Sequence, residues 1–329
     1  MKQILTKLFE SQRLTRTESQ TLMHGIANGS VNESQMAAVL TAYILRSISL
    51  EELQGFRDAL LDLSVKVDIY DGYTIDLCGT GGDGKNTFNI STASAFVVAG
   101  AGIPVVKHGN YGATSVSGSS NVMEYFGYKF STDSGKLQRE IDNTKVCFLH
   151  APLFHPALKA VGPIRRQLGV KTFFNMLGPL LNPSRPKHQV NGVFSIEVAR
   201  LYSYLLSNYL NDYRIIYSLD GYDEISLTSP TKIFSKAGED CLTPERLGFC
   251  KISPENIAGG ETVEESAKIF LSVLSNSAEK EKIDVVVANS AMAISCYKGF
   301  PFAESTLYAK ESLESGKALE CFKKLISMQ

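Results

Sequence analysis

Three things are scarce in this sequence, and each scarcity excludes something. Net charge is nearly absent. The 33 Lys and Arg against 34 Asp and Glu leave −1 over 329 residues, so no global basic field points to nucleic acid. Cysteine pairing signals are missing as well. Cys78, Cys147, Cys241, Cys250, Cys296 and Cys321 form no C-x-x-C pair, which suggests neither a zinc site nor a disulfide framework. No apolar run reaches the roughly 18 residues that span a membrane. The start, MKQILTKLFESQRLT, carries an acid and no continuous apolar segment, unlike a secretory signal. The expectation is a cytoplasmic α/β protein with ample chain for a core, and with neither nucleic acid nor membrane as a partner.

Glycine is concentrated between Asp76 and Phe126. The stretch predicts a strand (Thr74 to Leu77), a glycine loop, an apolar helix from about Ser91, a second strand (Pro104 to Lys107) and a second loop rich in Gly and Ser. Bare backbone N–H groups close on an anion only where side chains are small. Two phosphate motifs nearly fit. Gly79, Gly81 and Gly84 satisfy G-x-G-x-x-G, but no acid follows about 20 residues later for a ribose. Gly79 to Lys85 satisfies G-x-x-x-x-G-K, but Asn86 replaces the Ser or Thr that would hold magnesium. Asp83 inside the loop would repel phosphate unless a cation lay between them. The alternative is a tight turn with no ligand, and the second loop, KHGNYGATSVSGSS, weighs against it.

The fold class expected is α/β: a small N-terminal all-helical domain plus a larger α/β domain with a mostly parallel central sheet flanked by helices. Thr15-x-x-Glu18 and Ser49-x-x-Glu52 are capping boxes. Met36 to Ile48 is apolar nearly all round, which predicts burial in its own domain or in a subunit contact. From Tyr73 short β-branched runs alternate with helical patterns. IDL, PVVK, KVCFLH, RIIYSL and DVVVA are the strand candidates, and ligands in such sheets sit at the carboxyl ends of strands. Residues 150–186 are broken by proline into short helices and turns. The expected boundaries are 1–68 for the helical domain, joined by helices from about 163–188, and 69–162 with 189–329 for the α/β domain.

Two further clusters carry charge. Arg165 and Arg166 point about 100° apart on a helix, so one can face a site while the other is solvated. Asp220, Asp223 and Glu224 crowd a turn after RIIYSL. Such carboxylates are either a solvated turn or a Mg²⁺ site, which takes one or two carboxylates with waters and substrate phosphates. With two phosphate-type loops elsewhere, the metal reading is favoured.

GTGGD (79–83), NIST (89–92), KHGN (107–110), GSS (118–120), RRQLGVKTFFNMLGPLLNP (165–183) and LDGYDE (219–224) together resemble the anthranilate phosphoribosyltransferase family, in order and spacing over nearly the whole chain. The resemblance implies a homodimer formed through the helical domain and transfer of the phosphoribosyl group from 5-phosphoribosyl 1-diphosphate to the amine of anthranilate, in tryptophan biosynthesis, with two Mg²⁺ ions per subunit. It implies that Gly79, Gly82, Asp83, Thr87, Asn89, Ile90, Ser91 and Thr92 line the phosphoribosyl diphosphate. Lys107, His108, Gly109, Asn110, Tyr111, Gly112, Ala113, Thr114, Ser115 and Ser119 cover its other side. Ser91, Asp223 and Glu224 are the implied metal ligands. Gly79, Asn110 and Arg165 are the implied anthranilate contacts, and Lys107 and Arg165 the catalytic pair.

The sequence departs from the family pattern at Tyr111 (commonly Arg), Val116 (often Lys), Asn121 (often Asp) and Phe154 (commonly His). His108 and His155 are either proton shuttles or structural. A pyrimidine nucleoside phosphorylase, or a nucleic-acid-binding relative of the same fold, are the alternatives. The acidic pair and Arg165 weigh against the first, and the near-zero net charge against the second.

Overall fold

The computed structural model describes residues 1–69, 73–112 and 115–329. The chain forms two compact units, Met1–Val67 with Ala151–Pro183, and Asp68–His150 with Ser184–Gln329.

The first unit opens with α1 (Lys2–Phe9), α2 (Arg16–Ala27), α3 (Glu33–Leu45) and α4 (Leu50–Asp62). Thr15 and Ser49 cap α2 and α4 in reciprocal boxes with Glu18 and Glu52. A third box, Asn32 with Gln35, starts α3. Glu52 does more than cap. Fully buried, it receives Arg46 Nη2 at 2.5 Å, the Leu14 N–H at 2.9 Å and the Tyr43 hydroxyl at 3.1 Å. In α3, Met36, Val39, Leu40 and Tyr43 are buried, but Ile44 and Leu45 stay exposed within this unit.

The second unit carries β1 (Ile75–Gly79), α5 (Ile90–Gly100), β2 (Val105–Gly109), α6 (Ser119–Tyr125), α7 (Ser134–Thr144) and β3 (Val146–His150). The chain then runs through α8 (Ala151–Phe154) and α9 (Gly162–Leu168) in the helical unit. The return was expected from about 163 to 188, and it begins at Ala151 and ends at Pro183 instead. The reason is packing: the Val65 N–H donates to the Phe154 carbonyl at 2.9 Å, and Phe154 is fully buried. Farther on, Phe173 stacks on Phe56 at 4.7 Å and meets Tyr43 at 5.0 Å.

Back in the sheet unit come β4 (His188–Gly192), α10 (Ile196–Leu206), β5 (Asp212–Ser218), β6 (Thr231–Ser235), β7 (Gly238–Leu242), α11 (Val263–Leu274), α12 (Lys280–Lys298), α13 (Phe302–Glu314) and α14 (Lys317–Ser327). The strand order is β3-β2-β1-β4-β5-β6-β7. The first five strands are parallel, and β6 and β7 are antiparallel. The fold is thus the mostly parallel sheet with a helical N-terminal unit that the sequence pattern predicts. Strand order reverses direction between β1 and β4, which opens a crevice at their carboxyl ends.

One strand candidate is corrected. DVVVA lies inside α12, a 19-residue helix buried along most of its length. A β-branched run is ordinary in a helix enclosed on all sides, because burial outweighs propensity. Conversely, β4, with the sequence HQVNG, lacks the β-branched run that marks a strand, yet it sits fully buried in the sheet.

Candidate active site

The carboxyl ends of β1, β2, β4 and β5 converge on the acidic turn 220–224. Two glycines allow the approach. A Cβ on Gly192 would lie 1.4 Å from the Asp223 carbonyl oxygen, and one on Gly79 would lie 2.3 Å from Asp223 Oδ2. Only glycine at both strand ends lets the turn press this close. The Gly81 N–H then donates to Asp223 Oδ2 at 2.8 Å, so the first glycine loop is tied to the acids directly.

Burial pushes the Asp223 carboxyl above its usual range, and the negative charge of Asp83 pushes it further. Burial likewise raises the Glu224 carboxyl, with the charge of Asp223 next in weight. The Lys107 ammonium opposes that shift without reversing it. Asp220 separates from the pair. Its carboxylate accepts Ser229 Oγ at 2.7 Å and Thr228 Oγ1 at 2.5 Å, so it braces the turn.

Lys107 is buried, and its ammonium donates to the Leu77 carbonyl and to Ser91 Oγ at 3.2 Å. Ser91 stands in the first turn of α5, whose N-cap, Asn89, offers no side-chain cap. The Ile90 N–H is taken by the Phe88 carbonyl at 2.7 Å and the Ser91 N–H by the Glu224 carboxylate, so the end of that helix already favours negative charge. Ile90 is buried in the core and Thr92 is buried too. Asn89 Nδ2 instead donates to the Ser117 carbonyl at 3.0 Å, which links the two loops. Thr80 Oγ1, Asn89 Oδ1 and Ser117 Oγ are buried with no partner among the described residues, as befits a cleft lined for a polar ligand.

The first loop is fastened from outside. Thr87 bridges Ala258, the Gly259 N–H donates to the Asn86 carbonyl at 2.7 Å, and Asn86 Nδ2 donates to the Gly260 carbonyl at 3.2 Å. Asn86 is a clamp where a P-loop would have its metal-binding hydroxyl. Gly82 and Asp83 form the loop's tip, with Asp83 Oδ1 receiving the Lys85 N–H at 3.0 Å.

In the second loop, His108 is buried and its N–H donates to Asp76 Oδ1 at 3.2 Å. Gly109, Asn110, Gly112, Ser115 and Ser119 follow, with Ser119 Oγ donating to the Asn110 carbonyl at 3.4 Å. Ala113 and Thr114 lie outside the described residues. Two of the three departures in this loop have local explanations. Tyr111 donates its hydroxyl to Glu124 at 2.7 Å and sets its ring edge on His150. Asn121 Oδ1 accepts the N–H groups of Gly112 and Gly118, both at 3.0 Å, as a carboxylate there would. Val116 is exposed.

In the helical unit, Arg165 lies over the Phe174 ring at 5.6 Å and donates to Asn175 Oδ1 at 3.3 Å. No carboxylate of the described residues pairs with it, and burial lowers its pKa. Arg166 is exposed. His155 is buried and donates Nε2–H to the Leu181 carbonyl at 2.8 Å. Burial depresses its pKa to about 4, so the ring is neutral near pH 7 and its role is structural.

Among the described residues, no three imidazole, thiol or carboxylate groups form a ready metal cage. Mg²⁺ needs less: one or two carboxylates, a hydroxyl, waters and substrate phosphates. Two neighbouring acids whose ionisation is opposed by desolvation and by a nearby carboxylate, Asp83 for Asp223 and Asp223 for Glu224, suit a divalent cation, so the donor set Ser91, Asp223 and Glu224 fits it.

Residues 71–319 match the glycosyl transferase family a/b domain, and residues 2–64 match the helical bundle domain of the glycosyl transferase family. The chain is 53% identical over 325 residues to the anthranilate phosphoribosyltransferase of Christiangramia forsetii, covering 99% of this chain and 98% of that one. It is 52% identical over 329 residues to that of Bacteroides thetaiotaomicron, covering 100% and 99%. Among solved structures, the Thermus thermophilus anthranilate phosphoribosyltransferase superposes with a TM-score of 0.92 at 29% identity, over 98% of both chains. The Saccharomyces cerevisiae enzyme in complex with PRPP and Mg superposes with a TM-score of 0.91 at 28% identity, over 98% of this chain and 96% of that one.

Proposed function

The chain belongs to the anthranilate phosphoribosyltransferase family, and from that premise we propose that it transfers the phosphoribosyl group of 5-phosphoribosyl 1-diphosphate to the amine of anthranilate, releasing diphosphate, in tryptophan biosynthesis. The observation that carries the reading at the site is the acidic pair, buried Asp223 and part-buried Glu224, held at the β1–β4 crevice beside an uncapped helix N-terminus.

The anthranilate nitrogen attacks ribose C1 while the C1–oxygen bond to diphosphate breaks. An aromatic amine is already neutral near pH 7, so no strong base is needed, in keeping with a neutral, tethered His155. The difficulty is negative charge gathering on the departing diphosphate. The uncapped start of α5 and the first glycine loop are the parts of the site that would face that charge. Lys107 holds Ser91 Oγ in place and sets a positive charge beside Glu224. Bound Mg²⁺, held by Ser91, Asp223 and Glu224, would neutralise part of the developing charge. Gly79 and Asn110 belong to the anthranilate end of the same reading.

Arg165 is assigned the anthranilate carboxylate. A half-buried guanidinium without an acidic partner among the described residues is a site for a planar anion, which it can grip with two parallel bonds. Arg165→Ala is expected to raise KM for anthranilate roughly 10–100-fold, the worth of a charge-assisted pair, with a much smaller change for phosphoribosyl diphosphate. Equal effects on the two KM values would remove the assignment.

The activity itself is read by mixing the protein with anthranilate, phosphoribosyl diphosphate and Mg²⁺ and following loss of anthranilate fluorescence. Undiminished fluorescence with all three saturating would overturn the proposal, and phosphorolysis of thymidine or uridine would replace it with the nucleoside phosphorylase reading.

We also infer association into a homodimer through the helical unit, where Leu45 is 82% and Phe9 64% exposed. Sedimentation at micromolar concentration should give twice the chain mass, and a monomer's mass would refute it. No helix among the described residues is long and apolar enough to cross a membrane.

A further inference from the structure

Glu224 is fixed by its backbone more firmly than a turn residue needs to be. The peptide plane after it, formed by the Glu224 carbonyl and the Ile225 N–H, is held at both polar atoms by buried side chains. Ser218 Oγ, at the end of β5, donates to the Glu224 carbonyl at 2.6 Å. Asn289 Oδ1, from the middle of α12, accepts the Ile225 N–H at 3.0 Å. The plane before Glu224 is pinned as well, since the Asp223 carbonyl fills the space that a side chain at position 192 would need. With the plane after it held at both polar atoms and the plane before it packed against Gly192, the backbone of Glu224 is confined.

The supports are themselves over-determined. Ser218 is fully buried, accepts the Ser226 N–H at 3.4 Å and meets Thr231 Oγ1 at 3.0 Å. Asn289 is 3% exposed, and its Nδ2 donates to the Ile225 carbonyl at 3.0 Å and the Val285 carbonyl at 2.9 Å. All its strong hydrogen-bonding hydrogens are used within the protein. An amide buried in a core helix is costly unless so satisfied. Ser218 and Asn289 therefore hold two consecutive peptide planes, 224–225 and 225–226, directly after the Glu224 side chain.

We propose that Ser218 and Asn289 are positioning residues for Glu224, which set its carboxylate for the divalent cation. This rests on the metal reading above. Outer supports of metal ligands typically change affinity by about 10–100-fold when removed.

The test is Mn²⁺ binding to the substrate-free protein, read from loss of the free-ion electron paramagnetic resonance signal, for the parent, E224Q, S218A and N289A. Each is measured well below its own melting temperature. The expected result is that E224Q loses the site and that S218A and N289A each weaken Mn²⁺ by about tenfold. Parental Mn²⁺ affinity in S218A and N289A, with only a lower melting temperature, would overturn the inference and leave the metal reading standing. Parental affinity in E224Q would instead overturn the metal reading. If N289A does not fold, S218A decides alone.

Discussion

Alanine at both Asp223 and Glu224 should abolish magnesium-dependent turnover, by at least about 1,000-fold, because the loss removes a metal worth several kcal/mol of transition-state stabilisation. The same pair should prove a burden to the fold. Burial raises both carboxyls, and Asp83 and Asp223 add repulsion. The folded protein therefore holds these protons more tightly than the unfolded chain does. Their contribution is fully favourable below the unfolded carboxylate range near 4 and is lost as pH rises through the folded range. Metal-free melting temperatures of the parent should thus fall as pH rises from about 5 to about 8. The isosteric D223N/E224Q variant should flatten that slope, and excess Mg²⁺ should restore the parent at the alkaline end. A double alanine variant with parental activity at limiting Mg²⁺ would end the metal assignment. A parental slope in D223N/E224Q would end the account of the strain.

Glu52→Ala is expected to be the most destabilising single change in the helical unit, by about 3–5 kcal/mol, the usual result of removing one partner of a buried ion pair. Burial alone would raise the Glu52 carboxyl. Arg46 and the Leu14 and Ser49 N–H groups outweigh it and bring the value down to about 2. The substitution would strand the Arg46 guanidinium, the Leu14 N–H and the Tyr43 hydroxyl together. Urea unfolding should show the loss, and a change under about 1 kcal/mol would mean that the network is interchangeable with water. The opposite outcome is conceivable only for concerted replacement of Arg46 and Glu52 by apolar residues, which leaves no charge uncompensated.

How much of this was legible in the sequence depended on distance along the chain. Caps and loops are local. Thr15 with Glu18, Ser49 with Glu52 and the glycine loops after β1 and β2 could be read from a few adjacent residues. The element order followed from periodicity. DVVVA misled because its β-branched side chains carry a strand signal, whereas enclosure on all sides, a property of the whole fold, decides for helix. The strand HQVNG escaped because its neighbours in the sheet, rather than its own side chains, make it a strand. At the site, Asp220 looked like a third acid and is taken by Ser229 and Thr228. Ser218 and Asn289 gave no signal. A serine ending a strand and an asparagine among alanines and valines are ordinary until folding brings them to the two ends of one peptide bond. Asn86 likewise reads as a failed phosphate motif until Gly259 and Gly260 arrive to clamp it.

The divided helical unit has a consequence for synthesis. Phe173, which fills the core beside Tyr43 and Phe56, is made after the three strands β1, β2 and β3. Domains emerging from a ribosome ordinarily fold in order, the N-terminal one first. Here the first helices leave the tunnel with an aromatic gap in their core. They must wait, through more than eighty intervening residues (68–150) of the other unit, for the segment that closes it. A nascent chain stalled between His150 and Phe173 would expose Tyr43 and Phe56, and it is in that interval that a chaperone would find the most to hold.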